Sequence, residues 1–108
     1  MIVTNKQLLS TAKRKGYAVP AFNVDNLESV LGVLNALNST GKPLIIQTIP
    51  RTLKYGGIPT YAALTRALYK GGADLSIHLD HGGDIETVKA CIDAGYTSVM
   101  IDGSALSL

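Results

Sequence analysis

The sequence predicts an α/β fold built from parallel βα units. Strand-like segments begin near residues 18, 43, 73 and 97, and each of the first three is followed by a segment with apolar residues at helical spacing. The strand segments are apolar at consecutive positions, as in Leu44-Ile45-Ile46 and Val99-Met100-Ile101, the pattern of strands covered on both faces.

Asn5 to Lys15 reads as a helix, with Leu8, Leu9 and Ala12 on one face, Thr4 or Asn5 as its cap and Gly16 as its stop. Tyr17 to Val24 is β-rich, and Pro20 within it predicts a bulge or an irregular strand. Asp25-Asn26-Leu27-Glu28 resembles a capping box, with the acidic residue first and Glu28 three positions later. Leu27, Val30, Leu31, Leu34 and Leu37 then form the stripe of an amphipathic helix that ends near Gly41. Pro43 to Thr48 is a short buried strand, and a loop containing Pro50, Gly56, Gly57 and Pro59 follows it. The next helix spans Thr60 to Lys70, with Tyr61, Leu64, Ala67 and Leu68 inward and Gly71-Gly72 as its end.

Ala73 to Leu79 is the third strand, and it runs into His78-Leu79-Asp80-His81-Gly82-Gly83. A helix follows from about Asp84, its N-cap, to Ala94, burying Ile85, Val88, Cys91 and Ile92, with Gly95 suited to the left-handed C′ position. Cys91 lies on that apolar face and reads as packing, not as a nucleophile. Thr97 to Ile101 is a fourth strand, leaving Asp102, Gly103 and Ser104 at its carboxyl end.

Composition narrows the function classes. A 46% hydrophobic content over 108 residues suits one small domain with a core. The net charge of +2 is too mild to imply nucleic acid or a membrane surface. No apolar run reaches the roughly 18 residues of a membrane span, and no basic-then-apolar leader opens the chain. A single cysteine forms no internal disulfide, which favours a reducing, cytoplasmic setting.

The strand pattern leaves two architectures, an open doubly wound sheet or part of a (β/α) barrel. Nothing resembling G-x-G-x-x-G follows the first strand, so dinucleotide binding has no support. In both architectures sites gather at the carboxyl ends of the strands. Those ends carry Asn23, then Gln47-Thr48, then His78, Asp80 and His81, then Asp102 and Ser104. A carboxylate for proton transfer beside an imidazole for a metal is the functional reading of Asp80-His81, with the bend between them assigned to Gly82 and Gly83. The bland alternative is a polar strand end with His78 as a satisfied core histidine.

Four stretches resemble the class II, metal-dependent fructose-bisphosphate and tagatose-bisphosphate aldolases. They are Tyr17-Ala18-Val19-Pro20-Ala21-Phe22-Asn23-Val24, Asn26-Leu27-Glu28, Ile77-His78-Leu79-Asp80-His81-Gly82, and Asp93 to Ser104 with its Ser98-Val99-Met100-Ile101-Asp102-Gly103-Ser104 block. The resemblance implies the N-terminal half of a TIM (β/α)8 barrel, a helix plus strands one to four over residues 1–108, truncated relative to the family. It implies reversible cleavage of fructose or tagatose 1,6-bisphosphate to glycerone phosphate and glyceraldehyde 3-phosphate, within carbohydrate metabolism and glycolysis. By the same resemblance Asp80 is the general acid/base and His81 a ligand of Zn2+. Asp102 is a secondary metal position or a residue supporting that site. Asn23 lies near the substrate or caps its strand end, and His78 packs beneath the site.

Departures accompany the resemblance. In Thr48-Ile49-Pro50-Arg51-Thr52, Ile49 stands where relatives carry a hydroxyl and Arg51 where they carry a Gly. Arg51 is either a contact to a substrate phosphate or the sign of a loop that no longer binds substrate as relatives do. Ala105 stands where relatives often have His. A barrel takes about 250 residues, and the family's other zinc ligands lie in its second half. The expectation is therefore an aldolase portion inactive alone, with phosphorylated ketose or triose substrates and a homo-oligomer or partner chain as its partners. Two alternatives stay open: a non-catalytic half-barrel assembly partner and a phosphosugar-binding α/β domain.

Overall fold

The computed structural model describes residues 1–107. Four strands, β1 (Ala21–Asn23), β2 (Leu44–Thr48), β3 (Leu75–Gly82) and β4 (Ser98–Ile101), form one sheet in the order β1-β2-β3-β4. Every pairing is parallel. The helices are α1 (Asn5–Lys15), α2 (Leu27–Thr40), α3 (Pro50–Gly56), α4 (Ile58–Leu68) and α5 (Ile85–Asp93). Sequential parallel order with a helix on each crossover is the connectivity of a barrel wall, not of a sheet whose strand order reverses. No helix among the described residues is long and apolar enough to cross a membrane.

The two faces of the sheet differ. Leu44 and Ile46 of β2 and Leu75, Ile77 and Leu79 of β3 alternate onto one face. There they pack with Val30, Leu34 and Leu37 of α2, Tyr61 and Ala62 of α4, and Val88 and Cys91 of α5. On the other face Ile45 packs with Val3, Leu8 and Val19, so α1 covers the amino-terminal end of the sheet and leaves the carboxyl end free for polar groups. Met1 and Val3 also hydrogen-bond the start of β3, through Leu75.

Several expectations are corrected. The segment after β2 is helical, not a loop. Pro50 and Pro59 occupy the first turns of α3 and α4, where a missing N–H costs no intrahelical bond. The β-rich stretch from Tyr17 pairs only over Ala21–Asn23, because Pro20 has no N–H to give the ladder, although its carbonyl accepts from Ile45 N. The box that opens α2 joins Asn26 and Ser29, one residue beyond the pair read from the sequence. Ala67 faces solvent while Thr65 and Ala62 are buried, a shift of the inward face of α4. Leu31, Ile85 and Ile92 are exposed, on helix flanks that no other described element covers.

Candidate functional site

The site begins with strand register. Asn23 pairs with Gln47, Gln47 with His78, and His78 with Ser98, so one cross-strand line of polar residues passes through all four strands. These residues alternate away from the apolar face. They are joined in pairs: Gln47 Nε2 donates to Asn23 Oδ1 at 2.7 Å, and His78 Nδ1 lies 2.9 Å from Ser98 Oγ. Asp80 stands two residues beyond His78 on the same face, and its Oδ2 accepts from Gln47 Nε2 at 3.3 Å.

Regular alternation would send His81 to the helix side. It does not go there. The pairing of β3 with β4 shifts register between Leu79 and Gly82, and His81 has φ 55°, the sole positive value outside glycine among the described residues. The bend therefore lies at His81 itself, not at the glycine pair to which the sequence assigned it. Such backbone is sparsely populated for a side chain of this kind and gathers at functional sites. It turns the imidazole toward Asp80 and Asp102. Nδ1 lies 2.8 Å from Asp102 Oδ2, and Nε2 lies 3.6 Å from Asp80 Oδ2. β3 extends to Gly82, so Asp80 and His81 sit within the strand and not beyond its expected end at Leu79.

Asp102 is held twice. Its Oδ1 accepts from Ser104 N at 3.0 Å while Oδ2 faces His81. The Ser104 contacts, then the one from His81, hold its carboxyl well below the ordinary carboxylate range. The hydrogen bond to Asp102, then the charge of Asp80, raises the pKa of His81. Burial lowers that of His78, against a smaller raising effect from Asp80.

The two histidines thus carry opposite signs. Stability from His81 is fully present below its unfolded value of 6.5 and is lost as pH rises through its higher folded value. Stability from neutral His78 is present above 6.5 and is lost as pH falls through its lower folded value. Followed by their ring-proton resonances, His81 should titrate above 6.5 and His78 below it. Coincident midpoints would contradict the arrangement.

Arg51 lies apart from the hydrogen-bonded line. It sits exposed in the first turn of α3 and lines a cavity of about 360 Å³ with Asp25, Asn26, Thr52 and Tyr55. Thr48, at the end of β2, faces the other way and shares a buried 2.8 Å hydrogen bond with Tyr96. Cys91 is fully buried, and burial pushes its thiol up to about 11, so it stays protonated at neutral pH. The sequence placed Gln47 at a strand end without a role. Reading β1, β2 and β3 in parallel register would have set it between Asn23 and His78, within side-chain reach of Asp80. Among the described residues no set of three or more His, Cys, Asp or Glu side chains converges to hold a metal ion.

Sequential parallel strands with a helix on each crossover, and polar groups gathered at their carboxyl ends, form the architecture of part of a (β/α) barrel. The chain belongs to the class II fructose-bisphosphate aldolase family, whose model matches residues 3–108. It is 41% identical over 104 residues to the D-tagatose-1,6-bisphosphate aldolase subunit GatY of Klebsiella oxytoca, covering 95% of this chain and 37% of that protein. It is 39% identical over 115 residues to the fructose-bisphosphate aldolase of Treponema pallidum, covering 97% and 33%. The crystal structure of the YdjI aldolase from Escherichia coli K12 superposes with a TM-score of 0.90 at 25% identity, over 99% of this chain and 41% of that one. The chain spans about a third to two fifths of the length of the curated relatives it matches.

Proposed function

We propose that this chain supplies the proton-transfer group and one metal ligand of a ketose-bisphosphate aldolase, and that the remaining barrel strands are needed for turnover. The observation that carries this reading is the convergence of Asp80 and His81, 3.6 Å apart, with the imidazole fixed by Asp102 at 2.8 Å.

The donor set fits part of a zinc site. With its proton on Nδ1, facing Asp102, neutral His81 keeps an unshared pair on Nε2, the arrangement by which a carboxylate orients a ligating histidine. Zinc sites ordinarily take three protein ligands and leave a position open, and His81 is one. When bound, zinc would supply Lewis-acid stabilisation of the negative charge that develops as a ketose C3–C4 bond breaks. The chain's own groups do the rest. Asp80 takes the proton of the C4 hydroxyl in cleavage and returns it in the aldol direction. Asn23 borders the substrate beside Gln47. Arg51 offers a guanidinium to a terminal phosphate. Asp102 acts through the His81 ring, not as a direct ligand.

Zinc added to the isotope-labelled chain should shift the ring resonances of His81 before those of His78, and His81→Ala should remove the saturable response. Equal responses from both histidines, or a response that survives the substitution, would overturn the reading. The chain alone should not cleave fructose 1,6-bisphosphate, and chelator-sensitive cleavage by it would count against the need for further strands. The same reading places the protein in the cytoplasm of the cell, where such phosphosugars are handled.

A second reading concerns assembly. Phe22 on β1 and Met100 and Ile101 on β4 are exposed, and β1 and β4 each present an unpaired edge among the described residues. Open edges of this kind recruit another strand. Light scattering should report self-association or capture of a partner segment, and a monomer at all concentrations would remove this reading.

A further inference from the structure

We infer that Gln47 is the residue that positions Asp80, holding one carboxylate oxygen so that the other is the one offered for proton transfer. The inference rests on Asp80 acting as the acid/base. A primary amide carries two N–H hydrogens on one nitrogen. Gln47 Nε2 directs them to two acceptors, Asn23 Oδ1 at 2.7 Å and Asp80 Oδ2 at 3.3 Å. The register makes this possible: Asn23 and His78 are both cross-strand partners of Gln47, and Asp80 follows His78 by two residues on the same face of β3. One side chain in the middle strand thereby ties β1 to the working end of β3.

The two oxygens of Asp80 are left unequal. Oδ2 accepts from Gln47 and faces His81 Nε2, while Oδ1 has no hydrogen-bond partner among the described residues. The Asp80 side chain is only 24% exposed, so this difference is fixed inside a partly enclosed rim and not averaged in open water. With Oδ2 tethered, the carboxylate cannot rotate freely and Oδ1 is the oxygen free to meet a substrate hydroxyl. Functional groups need placement to within about 0.5 Å, and a misplacement of about 1 Å can cost on the order of a hundredfold in rate. Asn23 has a matching part in this account. By accepting the second N–H it holds the Gln47 amide in the orientation that points nitrogen, not oxygen, at Asp80.

The test compares Gln47→Glu and Gln47→Leu with the unaltered chain at neutral pH. The readout is the three-bond couplings to Asp80 Cγ, which report χ1 and so whether the tether holds the side chain in one rotamer about Cα–Cβ, together with Tm. Glu keeps the shape of Gln but replaces the donor by a carboxylate. The tether requires one Asp80 rotamer in the unaltered chain and averaged couplings in both variants, with Tm little changed in Gln47→Glu. Unchanged couplings in Gln47→Glu would assign position 47 to packing and overturn the inference, whatever Gln47→Leu does. Should the variants fail to fold, Asp80→Asn answers the same question. Its substitution must shift the side-chain amide resonances of Gln47, and unmoved resonances would overturn the tether. These couplings do not involve zinc. A failed zinc response would remove the chemistry without touching them, and unchanged couplings would leave the zinc response intact.

Discussion

Replacing Gly82 with alanine should lower the stability of the chain by about 3 kcal/mol, the upper part of the range for overpacking a filled site. A Cβ built at Gly82 would stand 2.5 Å from the carbonyl oxygen of Met100, 2.9 Å from Val88 Cγ2 and 3.1 Å from Leu79 Cδ2. The first of these is backbone in the neighbouring strand and cannot swing aside. Relief requires β3 and β4 to part where Gly82 O accepts from Asp102 N at 2.8 Å. That hydrogen bond places Asp102 beneath His81, so the substitution should also release the imidazole. Small domains are stable by a handful of kcal/mol, which makes a loss of this size visible in any thermal melt. Gly83→Ala is the control, since a Cβ there meets nothing within 4 Å. Equal effects of the two substitutions would show that the β3–β4 contact is not as close as described.

The second large effect belongs to Asp80. In a complete barrel, made by joining this chain to the two thirds of the 39% identical Treponema pallidum relative that it does not match, Asp80→Asn should reduce kcat by about 10² to 10⁴-fold. KM should change little, because the amide keeps the size and polarity of the carboxylate and loses only its capacity to take a proton. Steady-state kinetics in both the cleavage and aldol directions measure this. A raised KM with unaltered kcat would make Asp80 a binding group and remove it from the proton path.

Much of the fold is legible from residue order. Leu44 to Ile46 and Leu75 to Leu79 are apolar enough to be strands covered by helices, and the stripe from Val30 to Leu37 has no other use than a buried helix face. What escapes is the meaning of particular residues in context. Pro50 and Pro59 break helices in most positions but open them in the first turn, and composition alone does not say which applies. His81 shows the deeper limit. Histidine adopts positive φ more often than most side chains do, but nothing in the neighbouring residues selects φ 55° at position 81. The conformation is imposed by the register shift against β4, a tertiary contact with no local signature. The glycine pair beside it invited the wrong assignment of the bend, because Gly82 is needed for its closeness to Met100 and not for its dihedral angles. Gln47 was hidden for a related reason. Its partners stand 24 and 33 residues away along the chain, and only strand register brings the three together.

The bend at His81 decides whether the imidazole enters the site, and the protonation pattern of that ring tests it most directly. Above its raised pKa, long-range ¹⁵N correlation of the His81 ring should show the proton on Nδ1, facing Asp102, with Nε2 bare and available to a metal. A ring protonated on Nε2, with nitrogen shifts unaltered by Asp102→Asn, would mean that the imidazole does not turn into the site and that Asp80 stands there without it.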